Sequence, residues 1–150
     1  KRIEAEGMEN RWQRHQEMAE IVRTWATGHE WGMFPADGFS SPTVSCISRQ
    51  NGPDFVPALA TLKEQGILVS NGYGNLKGKT FRIGHMGEHT PDDIRELIAI
   101  FERAYMEKLI ESTAGNIAAA ARKARIDRMY VYKLLDRYQI EVPSRAKNQT

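Results

Sequence analysis

Met8, Trp12, His15, Ala19, Val22 and Ala26 recur at alternating spacings of three and four, which puts them on one face of a helix, and Gly28 ends the pattern. Two short extended stretches are expected near residues 31–34 and 43–48, separated by the turn-rich Pro35-Ala36-Asp37-Gly38. Residues 55–65 return to helical spacing through Phe55, Leu59 and Leu62, with Gly66 placed to cap the end. Residues 67–69 and 80–83 read as strands flanking a loop that holds Gly72, Gly74 and Gly78. Thr90-Pro91-Asp92-Asp93 starts the next helix: Thr90 caps it, Pro91 suits its first position, and the two aspartates favour the positive end of the dipole. This helix continues through Ile94, Leu97, Ile98, Phe101, Tyr105 and Leu109 to about Ser112, long enough to serve two modules.

The remainder is helical. Ile117, Ala120, Ala121 and Ala124 form a narrow face of small side chains, capped by Asn116, that lets another helix approach closely. Asp127 caps a second helix over residues 128–138, in which Val131, Leu134, Leu135 and Tyr138 face inward and Met129, Lys133 and Arg137 outward. Strands alternating with helices and then helices alone predict an α+β body of αββαββα type over residues 1–100. A helix-turn-helix over 101–142 shares the long helix with it, and 143–150 form a flexible tail. The helix starting at Pro91 is expected to buttress the sheet with Ile94, Leu97 and Ile98, then to pack the tail with Phe101, Tyr105 and Leu109.

Composition narrows the class. Hydrophobic residues make up 41% of the chain and no apolar run reaches the roughly 20 residues of a bilayer span, which excludes wholesale disorder and an integral helical membrane protein. Cys46 stands alone, so no disulfide framework is available, in keeping with a reducing, cytoplasmic setting. Lys1 with no initiator Met and no signal pattern reads as the end of something longer. Residues 1–100 carry a net charge of −2 and residues 101–150 a net +4. A basic end on a mildly acidic body is the balance of an appended nucleic-acid-binding module, and also of an ordinary solvated face.

The stretch YMEKLIESTAGNIAAAARKARIDRMYVYKLLDRYQI resembles the Fis-type helix-turn-helix that ends many sigma-54-dependent activators. The matching points are Gly115-Asn116, Ala120-Ala121-Arg122, Ile126, Arg128, Val131-Tyr132-Lys133, Leu135 and Ile140; Arg125 and Gln139 stand where that family usually has glycine. If Arg125 takes a positive φ, the cost is roughly 1 kcal/mol. The resemblance implies a homodimer that binds double-stranded DNA, with Arg128, Met129, Tyr130, Lys133 and Arg137 facing the duplex and Phe101, Met106 and Ile110 contributing to dimerisation.

The body carries a second resemblance. EGMENRWQRHQEMAEIVRTWA, SPTVSCI and ILVSNGYGNLKGKTFRIGHMGEHTPDDI are similar to the C-terminal small domain of class V pyridoxal-phosphate aminotransferases of the alanine–glyoxylate/serine–pyruvate type. That resemblance implies that Arg82 binds a substrate carboxylate, for which a planar guanidinium suits a bidentate grip; a structural ion pair is the alternative role. Arg14 and His15 match the family's long helix and are expected to serve packing. The family's Schiff-base lysine and phosphate cup lie in the domain that precedes this one, and Lys63, Lys77 and Lys79 stand outside any such motif. The chain alone is therefore not expected to transaminate, and pyridoxal phosphate is expected only with an upstream catalytic domain.

Two motifs are decoys. His85-Met86-Gly87-Glu88-His89 spells H-x-x-E-H, a zinc signature that works only on a helix, and Gly84 and Gly87 break one; no metal site is expected. The glycine loop after residue 71 misses G-x-G-x-x-G by one residue and leads into a strand, so it offers no helix N-terminus to a phosphate. Cys46 is expected to be a buried small hydrophobe. The leading functional expectation is sequence-specific DNA binding and transcription regulation. The alternative is the C-terminal part of an aminotransferase whose catalytic domain lies upstream, and a small carboxylate ligand of Arg82 is compatible with either.

Overall fold

In a computed structural model, residues 1–29, 31–49 and 54–143 are described. Two helices, α1 (Arg2–Glu6) and α2 (Met8–Thr27), meet at Gly7, whose φ of 81° breaks the first from the second. The break turns the Glu6 carboxylate toward α2, where it meets Arg11 at 2.9 Å and Arg14 at 2.7 Å. Helix α2 buries His15, Met18, Ala19, Val22, Trp25 and Ala26, a single stripe at helical spacing. Met8 and Trp12 do not join it: Met8 is 48% and Trp12 61% exposed. Arg14 packs less than it bonds, donating to Glu6 and to the carbonyls of Gly87 and His89.

The strands β1 (Gly32–Met33), β2 (Val44–Ser48), β3 (Ser70–Asn71) and β4 (Thr80–Gly84) form an antiparallel sheet in the order β1-β2-β4-β3. Alternation sends Ser45 and Ile47 of β2, and Phe81 and Ile83 of β4, into the core beneath the helices. Helix α3 (Val56–Glu64) buries Ala58, Leu59 and Leu62 on the same side. Residues 67–69 are not a strand, contrary to their apolar run. The N–H of Ile67 bonds the Leu62 carbonyl at 2.9 Å, completing the end of α3, and ladder pairing with β4 begins only at Ser70. Gly66, at φ 79°, makes that return.

Helix α4 (Pro91–Ser112) starts as its sequence requires: Thr90 Oγ1 accepts from the Asp93 amide at 3.2 Å, and the Asp93 carboxylate accepts from the Thr90 amide at 2.7 Å. Its Phe101 is fully buried and sits 5.3 Å from Trp25, 5.5 Å from Trp31 and 5.3 Å from Phe81, ring centre to ring centre. One hydrophobic cluster gathers Phe101 and Ala104 with α2, α3 and the sheet; a second gathers Met106, Leu109 and Ile110 with the helices that follow. Tyr105 packs against both. The long helix thus serves two cores, but Phe101 belongs to the body and the switch falls at Tyr105. The expected role of Phe101, Met106 and Ile110 in dimerisation is overturned, since all three are sealed inside the one chain.

Helices α5 (Ile117–Ala124) and α6 (Arg128–Arg137) complete the second cluster. Asn116 caps α5 through the Ala119 amide at 3.1 Å, and Asp127 caps α6 through the Met129 amide at 2.7 Å. Arg125 ends α5 in the left-handed region at φ 57°, and Gln139 does the same after α6 at φ 51°. Both stand where glycine is cheaper, so each costs about 1 kcal/mol. Gly115 is stricter: a Cβ there would lie 2.8 Å from the Pro143 carbonyl oxygen. Among the described residues, no helix is long and apolar enough to cross a membrane.

Replacing Phe101 by Ala should cost about 3–5 kcal/mol of stability, read as a lowered urea midpoint, because it empties the contact joining α4 to α2 and β4.

Candidate functional site

The helices cover one face of the sheet, and the outward side chains of β2 and β4 occupy the other. Arg82 lies near the middle of β4, opposite Cys46 on β2 and Ser70 on β3. It is exposed, as strand alternation between the buried Phe81 and Ile83 demands. Its Nη2 donates to the Asn71 carbonyl at 3.3 Å, and among the described residues it forms no ion pair. A guanidinium fixed at one corner, with no carboxylate already on it, can present its remaining donors to an anionic group. The structural ion-pair alternative for Arg82 has no partner among the described residues.

The anchor for Arg82 is itself built locally. The Asn71 side-chain oxygen accepts from the amides of Gly72 at 2.8 Å and Gly78 at 2.9 Å, closing the glycine loop on itself. Within that loop Gly74–Leu76 form one turn of 3₁₀ helix. Gly72 has no substitute, because a Cβ would fall 2.1 Å from the Leu76 carbonyl oxygen. Sequence reasoning read the loop as a connector; the missed signal was the Asn directly before its first glycine, a residue that bonds backbone amides in turns.

The two histidines of H-x-x-E-H part company. His85 is fully buried, its Nε2 2.9 Å from Ser45 Oγ, and burial pulls it below its ordinary pKa. His89 is exposed and 4.0 Å from the Asp93 carboxylate. No group of three or more metal-ligating side chains occurs among the described residues. Cys46 is half-buried on the open face rather than sealed in the core.

At the other end of the chain, Arg128, Met129 and Lys133 are exposed on α6, Met129 at 71%. Tyr130 and Arg137 are drawn toward the body instead. Tyr130 Oη is 3.4 Å from His29 Nε2, and Arg137 Nη1 is 3.9 Å from the Glu102 carboxylate. Of the five side chains expected to face DNA, Arg128, Met129 and Lys133 are exposed, Arg137 is exposed while approaching Glu102, and Tyr130 is half-buried. Glu102, the acid that collects them, carried no signal in the helical pattern beyond its place beside Phe101.

Comparison with known proteins bears on the open face. No model of a known protein family matches the chain. It is 30% identical over 123 residues to the soluble hydrogenase small subunit of Synechococcus sp. (strain PCC 6716), covering 80% of this chain and 32% of that protein. It is 30% identical over 124 residues to the (S)-ureidoglycine–glyoxylate transaminase of Bacillus subtilis (strain 168), covering 81% of this chain and 29% of that one. The crystal structure of alanine–glyoxylate aminotransferase from Nostoc sp. superposes with a TM-score of 0.61 at 28% identity, over 69% of this chain and 28% of that chain. The chain spans about a third of the length of the curated relatives it matches.

Over about 80% of its length the chain is thus similar to class V aminotransferases of the alanine–glyoxylate type. A match of that extent runs past residue 100 into the terminal helices, so the boundary drawn at 100 from sequence does not bound the likeness. None of these relatives is a Fis-type regulator, and the leading expectation of DNA binding gives way to its alternative.

The aminotransferase relatives imply pyridoxal phosphate for a whole protein of this kind. A lysine that forms a Schiff base must be partly withdrawn from water to lose its proton, and every lysine among the described residues is exposed. The described residues thus place no lysine in a setting suited to a covalent seat for that cofactor.

Replacing Asn71 by Ala should strip the Gly78 amide of its acceptor, while the Gly72 amide keeps its bond to the Thr80 carbonyl at 2.8 Å, and cost about 1–3 kcal/mol. Hydrogen exchange at the Gly78 amide should accelerate while that of Gly72, still held by Thr80, and of β2 stays slow.

Proposed function

We propose that this chain is the C-terminal portion of a pyridoxal-phosphate-dependent transaminase acting on small amino and oxo acids, with Arg82 holding the substrate carboxylate. The observation that carries this reading is Arg82 itself: exposed on the uncovered sheet face, tethered to the Asn71 carbonyl and without an acidic partner among the described residues. Support comes from relatives whose names specify glyoxylate or pyruvate as acceptor, both small carboxylates. In the full-length protein, Arg82→Lys should lower kcat/KM for the oxo acid by roughly 10–100-fold, mostly through KM, because a point charge replaces a two-pronged donor. Unchanged kinetics would remove Arg82 from the site.

A second reading, DNA binding by the C-terminal helices, is favoured by one observation: α5 and α6 are joined through Arg125 by a tight turn that leaves Arg128, Met129 and Lys133 outward. On this reading Asn116 and Asp127 cap the two helices of a helix-turn-helix, and a homodimer would present two such faces. Arg128→Ala combined with Lys133→Ala should then weaken duplex binding for all sequences and flatten its salt dependence by about two units of slope. A salt slope that does not change ends this reading.

A further inference from the structure

A charged cluster lies where α6 meets the sheet body, apart from both surfaces above. His29, just past the end of α2, places Nδ1 2.7 Å from the Trp25 carbonyl oxygen and Nε2 2.7 Å from Glu102 Oε1. A carbonyl and a carboxylate only accept, so the ring must donate from both nitrogens, which an imidazole does only as the cation. Tyr130 Oη, at 3.4 Å from Nε2, is a longer and weaker contact. Glu102 is 6% exposed and fully subscribed: Trp25 Nε1 donates to Oε1 at 3.0 Å, Tyr138 Oη donates to Oε2, and Arg137 approaches Oε2 at 3.9 Å. One buried carboxylate thus gathers α2, α4 and α6. A cavity of about 20 Å³ beside it is lined by His29, Glu102, Tyr105, Ala124 and Tyr130 among others.

We propose that His29 and Glu102 form a proton-operated latch that fixes α6 against the sheet body, closed while the imidazole is cationic and opened when it loses its proton. Opening is local, because α4 runs unbroken through both cores and the contacts of Met106, Leu109 and Ile110 with α5 and α6 remain. The groups facing His29 are Glu102 and Tyr105 on α4, and Tyr130, Arg137 and Tyr138 around α6. Desolvation alone pulls His29 down, but the Glu102 hydrogen bond, the Trp25 carbonyl and the Glu102 charge more than reverse it, against an opposing push from Arg137. Its pKa is therefore raised above the ordinary 6.5. Burial pushes Glu102 up, but the hydrogen bonds from His29, Tyr138 and Trp25 and the charge of His29 win, leaving it below 4.5. Tyr138 is pushed up to about 12 and Tyr130 and Tyr105 also upward, so the phenols stay protonated throughout.

The signs fix a window. The His29 contribution is complete below 6.5 and is lost as pH rises through its raised folded value. The Glu102 contribution is complete above 4.5 and is lost as pH falls through its lowered folded value. The latch is tightest between those two ordinary values.

The test is an NMR titration of the His29 ring in the full chain, with amide exchange of α6 corrected for the intrinsic pH dependence. His29 should titrate above 6.5, and α6 protection should fall about tenfold or more across that titration while β2 and β4 keep theirs. Glu102→Gln should lower the His29 midpoint, and His29→Gln should hold α6 at its alkaline exchange rate at every pH. A His29 midpoint at or below 6.5, a flat α6 profile, or a parallel loss in the sheet each overturns the latch; the ring titration decides the matter in the unaltered chain even if either variant fails to fold.

Discussion

The burial of Phe101 among Trp25, Trp31 and Phe81 governs the rest of the architecture. It pins the middle of α4 to α2 and β4, so the half of that helix beyond Tyr105 must project from the sheet body at a set angle. α5 and α6 then have one available surface, the stripe of Met106, Leu109 and Ile110, and the alanines at positions 120, 121 and 124 let them settle on it closely. The second core is positioned by the first through a single continuous helix, and the cluster around Glu102 adds a direct contact between α6 and the end of α2.

Much of this was legible in the residues. The capping groups Thr90, Asn116 and Asp127 act where their chemistry places them, and the strand alternation that exposes Arg82 follows from its apolar neighbours Phe81 and Ile83. Other features depended on contacts that periodicity does not encode. Trp12 fits the helical stripe of α2 yet faces outward, because a helix pattern does not reveal where its partner surface stops. Ile67 reads as strand, but its amide is claimed by the end of α3. Phe101 fits either core by spacing, and only the three rings around it decide.

The open face and the terminal helices also differ in what they ask of sequence reasoning. Arg82 was singled out through a resemblance to aminotransferases, and relatives in the curated and solved proteins support that likeness over most of the chain. Glu102 could not have been found that way. A carboxylate on a helix otherwise filled with surface acids looks solvated, and its burial follows from Trp25 and His29 at the end of α2 and Tyr138 at the end of α6 arriving at once. For the same reason Arg137, outward on a helical wheel, and Tyr130, near the start of α6, are partly committed to the body, while Arg128 and Lys133 are not.

The half-buried Cys46 lies across the ladder from Arg82 and is the chain's single cysteine. A fluorophore coupled through sulfur would therefore sit on the uncovered sheet face with no competing label elsewhere. The protein thus carries, in its own sequence, an attachment point from which the arrival of any occupant beside that guanidinium would be visible as a change in emission.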